Sequence, residues 1–176
     1  MSKKKHEEEQ EASPGAPLTL RPERPEDEAF LFEVYASTRA DELALTGWDA
    51  PTRAAFLRMQ FNAMRRGYAQ QFPNAQFSIL LRAGQPVGRM VIDRAPEAVC
   101  LVDLVLLPEH RGLGFGTRLM QELLAEAGQL RKPIHLHVFK GTRPVQWYQR
   151  LGFIKVGETG AYDRLEWRPG LAEAGR

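Results

Sequence analysis

The stretch that most constrains the fold is residues 101–120, in which an apolar run, a glycine-rich turn and a helical pattern follow one another. The apolar run ends at Pro108, and Gly112, Gly114 and Gly116 occupy alternate positions of the turn. The N-terminus of a helix offers unpaired N–H groups and a partial positive charge, and glycines let the backbone come close to a ligand. The stretch therefore predicts a site for the phosphate groups of a cofactor.

The spacing of these glycines excludes two common phosphate sites. A P-loop requires a Lys directly after its last glycine, and none stands there. A dinucleotide fingerprint counted from Gly114 requires a third glycine where Leu119 stands. The pattern that fits is Arg-x-x-Gly-x-Gly, from Arg111 to Gly116. It resembles the pyrophosphate-binding signature of the GNAT acyltransferase superfamily, and the resemblance extends over about residues 18–169.

A second block, residues 133–153, carries the same resemblance. It reads as a strand, a polar turn, a short helix and the closing triplet Leu-Gly-Phe at 151–153, and Tyr148 matches the family's tyrosine. Two positions depart from the family pattern, because Gly141 replaces the usual Asn and Pro144 the usual Ala. The first change removes a side-chain contact to the pantetheine or to the helix start. The second is tolerable in a first helical turn.

The resemblance implies that the chain binds acetyl-CoA, with no metal. In this family two central strands splay apart, which leaves backbone amides of one strand free for the pantetheine arm. The glycine turn then surrounds the pyrophosphate. The cofactor-binding positions implied here are Leu104, Val105, Leu106, Arg111, Gly112, Leu113, Gly114, Phe115, Gly116, Thr117 and Gly141.

Two residues are candidates for proton transfer. Tyr148 is the predicted general acid, since a phenol is protonated at neutral pH and can donate to a leaving thiolate. Its other interpretation is packing beside Trp147. Asp103 lies inside an apolar strand and is the predicted base, or the group that binds a cationic substrate. The alternative for Asp103 is an ion pair with Arg89 or Arg94 on the adjacent strand.

Other features limit the chemistry. Diamine acetyltransferases of the family carry Glu-Asp at this point, and here Val102 replaces the Glu, so that match is only half made. His135 and His137 share one strand face, but no third ligand follows at a metal-site spacing. Either histidine could instead serve as a base or a proton relay. By resemblance, the segment 35–49 is expected to form a loop beside the acceptor site.

The periodicity of apolar residues predicts an α/β fold with a mixed, mostly antiparallel sheet flanked by helices. Helices are expected to start at residues 24–27, at 50–52 and after the glycine turn, with a short one around 145–150. The predicted strands cover residues 18–21, 77–82, 87–93, 99–107, 134–139, 153–156 and 163–167. The turn at residues 83–85 predicts that the second and third of these strands form a hairpin.

The length indicates one domain, and the family resemblance places it over residues 18–169, between an N-terminal tail (1–17) and a C-terminal tail (170–176). A Lys block followed by a Glu block predicts that the first tail is disordered. A single cysteine, Cys100, excludes an internal disulfide and suits a reducing cytoplasm. No apolar run is long enough to span a membrane, and the net charge of +2 does not argue for nucleic acid.

These observations together predict a cytoplasmic N-acetyltransferase that transfers an acetyl group directly to a primary amine of a small molecule or a protein. No covalent enzyme intermediate is implied, because Cys100 does not stand at a recognisable nucleophile site. The alternative is a GNAT-like module that binds CoA or a partner protein without catalysis, which the loss of Asn at position 141 favours. An exposed edge strand near the C-terminus could pair two protomers.

Overall fold

The computed structural model describes residues 18–170, so the predicted N-terminal tail and all but Gly170 of the predicted C-terminal tail lie outside the described residues. The strands are β1 Leu18–Pro22, β2 Gln76–Arg82, β3 Gln85–Arg94, β4 Val99–Leu106, β5 Ile134–Phe139, β6 Ile154–Thr159 and β7 Tyr162–Trp167. The helices are α1 Glu28–Ser37, α2 Ala40–Ala44, α3 Ala50–Gln71, α4 Phe115–Gln129 and α5 Arg143–Arg150. Short 3₁₀ turns cover Pro25–Asp27 and Pro108–His110.

The strands form one sheet in the order β1-β2-β3-β4-β5-β7-β6. Every neighbouring pair is antiparallel except β4 and β5, which are parallel. β2 and β3 form the predicted hairpin, in which Ala83 and Gly84 both have positive φ, as a two-residue turn of this type requires. The predicted mixed, mostly antiparallel α/β fold is thus confirmed.

The two central strands separate after a short paired segment. β4 pairs with β5 only over residues 99–101 and 134–136, although both strands continue beyond that point. On its other side β4 carries a bulge, because Val91 lies opposite Asp103 while Ile92 lies opposite Leu101. A bulge bends the strand that carries the extra residue. The bend at Val102 coincides with the start of the gap, and the expected splay is confirmed.

Apolar side chains pack on both faces of the sheet. The larger core lies between one face and α4 with α5, and the smaller one joins the opposite face to α1 and α3. The larger core includes Leu101, Met120, Leu123, Ile134, Leu136, Tyr148 and Leu165; the smaller one contains Leu31, Tyr35, Phe61 and Ile79. β5 alternates accordingly, so that His135 and His137 lie on the face opposite the larger core.

The segment 35–49 is not entirely a loop, as the sequence had suggested. α2 forms within it, with Leu43 buried and an Arg39–Glu42 ion pair of 2.7 Å one turn apart. α3 begins where predicted, and the Asp49 side chain accepts a hydrogen bond of 2.8 Å from the Thr52 amide at its start. Within residues 18–170, no helix is both long and apolar enough to cross a lipid bilayer.

Candidate active site

The gap between β4 and β5 exposes backbone groups of β4. From Val102 to Leu106 the strand has no partner on its β5 side. The side chains of Leu104 and Leu106 pack against the larger core, so their apolar character is explained by packing. The N–H and C=O groups directed into the gap have no strand to pair with, and they are available to an extended ligand.

Gly88 fixes the position of β4 beside this gap. It lies opposite Leu106, and a Cβ atom added to it would stand 2.3 Å from the carbonyl oxygen of Val105. No real Cβ contact is that short, so only glycine permits β3 and β4 to approach each other here. Sequence analysis did not single out Gly88, because a lone glycine in a strand does not say which backbone it meets.

The glycine turn has the geometry that its sequence predicted. Gly112 and Gly114 have φ values of 73° and 82°, which side chains rarely adopt. A Cβ atom at either position would meet no atom within 4 Å, so open space lies beside both. Gly114 is the N-cap of the 15-residue α4 and supplies no side chain to its first N–H groups. The turn and the helix start therefore fit a pyrophosphate.

Arg111 holds this turn in place through its side chain. Its Nε donates to the Leu106 carbonyl oxygen at 2.7 Å, and its Nη2 donates to the Ser37 hydroxyl at 3.0 Å. The side chain thereby joins the end of β4 to the end of α1. The predicted contact of Arg111 with a cofactor stays a prediction, and the structure gives its guanidinium a positioning role.

Trp147 supports the last part of the turn, which sequence analysis did not foresee. Its indole Nε1 donates to the Thr117 hydroxyl at 3.1 Å, and its ring would contact a Cβ on Gly116 at 3.5 Å. Thr117 keeps its own O–H free to donate to a ligand.

The other two predicted positions of the turn carry apolar side chains. The ring of Phe115 lies beneath the guanidinium of Arg82, whose Cζ is 5.1 Å from the ring centre. Leu113 is exposed at the tip of the turn.

Gly141 explains its own departure from the family pattern. It has a φ of 71° in the turn between β5 and α5, with open space beside it. Glycine and asparagine are the residues that adopt this left-handed conformation most readily. Replacing Asn by Gly therefore keeps the backbone turn and removes only the side-chain amide.

Tyr148 is buried in the larger core at 9% exposure. Its ring contacts those of Trp147 and Phe153, with centroids 4.7 and 5.5 Å away. Its hydroxyl makes no hydrogen bond with another residue of the described range 18–170. Burial raises the pKa of Tyr148 above the ordinary phenol value, and the charge of Asp103 raises it further. The phenol is therefore protonated at neutral pH, as a general acid must be.

Asp103 forms an ion pair with Arg89, as one of the sequence alternatives predicted. Arg89 is 3% exposed, and its guanidinium also lies 5.9 Å from the Tyr68 ring centre and 3.5 Å from the Met64 sulphur. The other suggested partner, Arg94, pairs instead with Glu126 at 2.6 Å. A buried arginine therefore compensates the Asp103 charge. Its role as a base stays a prediction.

The two histidines of β5 have different surroundings. His135 shares a hydrogen bond of 2.8 Å with Glu166, which also pairs with Arg168. His137 makes no hydrogen bond within the described part of the chain. Its pKa is lowered from the ordinary value, first by burial and then by the nearby Arg164 and His135. Among residues 18–170, no three His, Cys, Asp or Glu side chains come together as a metal site.

A groove of about 350 Å³ adjoins these histidines on the sheet face that carries α3. Its lining includes Phe72, Cys100, His135, His137 and Arg164. Arg164 was not predicted as a site residue. That Arg164 lies beside His137 becomes apparent only when β7 is known to pair with β5.

Comparison with known proteins shows what the domain is similar to. Residues 73–155 match the family model described as an acetyltransferase (GNAT) domain. No curated protein sequence matches the chain significantly. Many solved structures share the fold, and the three described next illustrate the range of identity.

The PaiA N-acetyltransferase of Thermoplasma acidophilum, solved in complex with coenzyme A, is 16% identical with a TM-score of 0.65, over 86% of this chain and 98% of that one. An acetyltransferase of Thermus thermophilus is 21% identical with a TM-score of 0.62, over 86% and 97%. The Corynebacterium glutamicum protein described as histone acetyltransferase HPA2 and related acetyltransferase is 22% identical with a TM-score of 0.61, over 87% and 96%. At these identities the likeness establishes the fold.

Proposed function

We propose, from the premise that this chain carries a GNAT acetyltransferase domain, that it transfers an acetyl group from acetyl-CoA to a primary amine in a ternary complex. The observation that supports this most is the unpaired β4 backbone beside an open glycine turn and a helix N-terminus. Together they fit an extended pantetheine arm and a pyrophosphate. The related PaiA enzyme was crystallised with coenzyme A, which agrees with that use of the fold.

Acetyl-CoA supplies the acetyl group as a thioester. The amine nitrogen bonds to the thioester carbonyl carbon while the carbon–sulphur bond breaks, and the products are an acetamide and free CoA thiol. The nitrogen loses one proton and the sulphur gains one. Protonated Tyr148, beside the gap, is the proposed donor to sulphur, and a β4 amide at Leu104 or Leu106 is the proposed donor to the carbonyl oxygen, because the backbone groups of Val105 face β3.

The first test is ligand-dependent stability. We expect acetyl-CoA and CoA, but not ATP or NAD, to raise the melting temperature. Binding to the folded state alone adds about 2.7 kcal/mol at a ligand concentration one hundred times Kd. Stabilisation by ATP or NAD alone would contradict the proposed cofactor.

The second test separates catalysis from packing at Tyr148. We expect Tyr148→Phe to keep its affinity for CoA and to lower kcat by about a hundredfold or more, because it removes only the proton donor. Phe153→Leu is the matched packing control in the same core. It should cost about 1–2 kcal/mol of stability and leave kcat within a few-fold of the wild-type value. If both variants lower kcat alike, Tyr148 acts through packing.

The absence of an Asn at position 141 keeps one alternative open, a module that binds CoA without catalysis. It predicts stabilisation by CoA together with no amine-dependent release of thiol across a library of amines. Thiol release with any amine, lost in Tyr148→Phe, would contradict it.

A further inference from the structure

The proposed reaction assigns no role to the groove beside β5 and β7. It occupies about 350 Å³ on the sheet face opposite α4 and α5, with the C-terminal end of α3 at one side. Three of its lining residues carry an imidazole or a guanidinium group, His135, His137 and Arg164. Its position next to the gap makes it the natural place for part of the acceptor.

Arg164 provides one positive charge that the surrounding acids do not balance. It is exposed, and its side chain forms no ion pair or hydrogen bond within residues 18–170. On the same face, Glu166 of β7 is already bound by His135 and Arg168, and Asp103 of β4 is bound by Arg89. Asp163 points to the opposite face, where Lys155 pairs with it at 2.8 Å. An anionic ligand in the groove would therefore meet a free guanidinium.

The register of the sheet places this guanidinium close to the reaction. Arg164 lies directly opposite His137, and His137 is the first β5 residue after the segment paired with β4. Neighbouring strands lie about 4.8 Å apart, so Arg164 is one strand away from the strand that borders the gap. Burial and Arg164 lower the pKa of His137, which leaves that ring neutral and adds no second charge.

We propose that the acceptor is a compact amine with a carboxylate next to its nitrogen, as in an α-amino acid, and that Arg164 binds the carboxylate. A guanidinium pairs with a carboxylate through two parallel hydrogen bonds, while the adjacent amine faces His137 and the gap. One free positive charge matches a carboxylate better than a phosphate dianion. A diamine would bring a second positive charge close to Arg164, and a second copy of this face would bring another Arg164, so neither matches the groove. This inference rests on the proposed acetyl transfer.

The experiment compares amines that differ only by the carboxylate. Binding to the CoA-loaded protein is measured by calorimetry for glycine and methylamine, alanine and ethylamine, and phenylalanine and phenethylamine. The last pair is included because Phe139 and Tyr162 expose an edge-to-face ring pair on this side of the sheet. We expect the carboxylate form of at least one pair to bind about tenfold tighter or more, as charged hydrogen bonds allow.

Arg164→Gln should abolish that difference without changing the affinity for CoA. The matched control is Arg150→Gln, which removes another exposed arginine from α5 on the opposite face and should keep the difference. Melting curves of both variants establish that they fold. No carboxylate preference in any pair, or a preference that survives Arg164→Gln, would overturn the proposal.

Turnover assays distinguish this failure from failure of the proposed function. Equal kcat/KM for the two members of every pair would overturn carboxylate recognition and leave acetyl transfer standing. Arg164-dependent binding without acetylation of any amine would overturn acetyl transfer and leave the carboxylate site standing.

Discussion

At the scale of single residues, removal of a proton from the acceptor amine is the proposed step for which the chain offers the most candidate groups. Asp103 is engaged by Arg89, and His135 by Glu166. His137 has a free ring nitrogen, borders the gap and is held neutral by burial and by Arg164. Of the groups considered from sequence, His137 is thus the one whose side chain forms no ion pair or hydrogen bond in the described structure.

We expect kcat/KM to fall at acid pH with a midpoint below about 6.5, the ordinary histidine value, because the pKa of His137 is lowered. A base must be unprotonated, so activity is lost as the pH drops through its pKa. His137→Gln should remove this acid limb and lower kcat/KM by about a hundredfold. The pH profile, measured with two acceptors whose amine pKa values differ, separates the enzyme's titration from the acceptor's.

His135→Gln is the control, since that ring shares the strand face but is bonded to Glu166. It should keep the acid limb. An acid limb that persists in His137→Gln and disappears in Asp103→Asn would instead make Asp103 the base, which is one of the roles that the sequence suggested for it.

Residue-scale prediction from sequence worked best where the cause is local. An ion pair of Asp103 with Arg89 or Arg94 was one of the alternatives foreseen, because a carboxylate in an apolar strand needs a partner and a neighbouring strand supplies one. Arg164 could not be foreseen in the same way. Its place beside His137 depends on β7 lying between β5 and β6, and the order of strands along the chain does not reveal that order in space.

At the scale of elements, two substitutions should separate the backbone strain at the glycine turn from its contribution to CoA binding. Gly114 and Gly84 have φ values of 82° and 79°, and a Cβ atom at either would meet nothing within 4 Å. Each Gly→Ala change therefore introduces the same left-handed strain, about 1–2 kcal/mol, which urea unfolding measures. Only Gly114→Ala should also weaken CoA binding, by about tenfold or ~1.4 kcal/mol, because only that turn belongs to the proposed cofactor site.

Calorimetric titration with CoA provides the comparison, and Gly84→Ala, in the β2–β3 hairpin, is the matched control for strain. An equal and small loss of CoA affinity in both variants would mean that the turn after β4 is only a structural connection. The cofactor site would then have to lie elsewhere in the gap.

The elements that sequence predicted well are those with a strong period or a clear boundary. The hairpin, the glycine-turn helix and β4 followed from alternation, helical spacing and Pro108. α2 was missed because five residues with one buried leucine, Leu43, make no detectable period. The bulge at Val102 was not visible either, since the register of β3 against β4 decides it.

At the scale of the whole molecule, the proposed reaction site lies at the gap in the sheet, between the larger core on one face and the smaller core on the other. The gap lies where β4 leaves β5, so that Tyr148, from the larger core, approaches from one face. Asp103 and Arg89 lie with α3 on the other. The proposed proton donor and a candidate base therefore stand on opposite sides of one sheet, and the gap connects the two faces.

Burial of two phenols and a thiol should lower the stability of the folded protein at alkaline pH. Burial raises the pKa of Tyr148 and Tyr68, and it raises the pKa of Cys100 to about 11. In the unfolded chain a thiol loses its proton near pH ~8.5 and a phenol near pH ~10. The folded state holds these protons longer, so their contribution is fully present below those values and is lost as the pH rises.

We therefore expect the free energy of unfolding, measured in urea, to fall above pH ~8.5 and more steeply above pH ~10. A group deprotonated only in the unfolded state contributes a slope of about 1.4 kcal/mol per pH unit, and Tyr148→Phe should remove about that much of the slope above pH ~10. Tyr162→Phe, which removes an exposed hydroxyl, should leave the slope unchanged. If Tyr148→Phe and Tyr162→Phe alter it alike, the loss of stability comes from overall charge rather than from buried phenols, and Tyr148 is open to water even without a ligand.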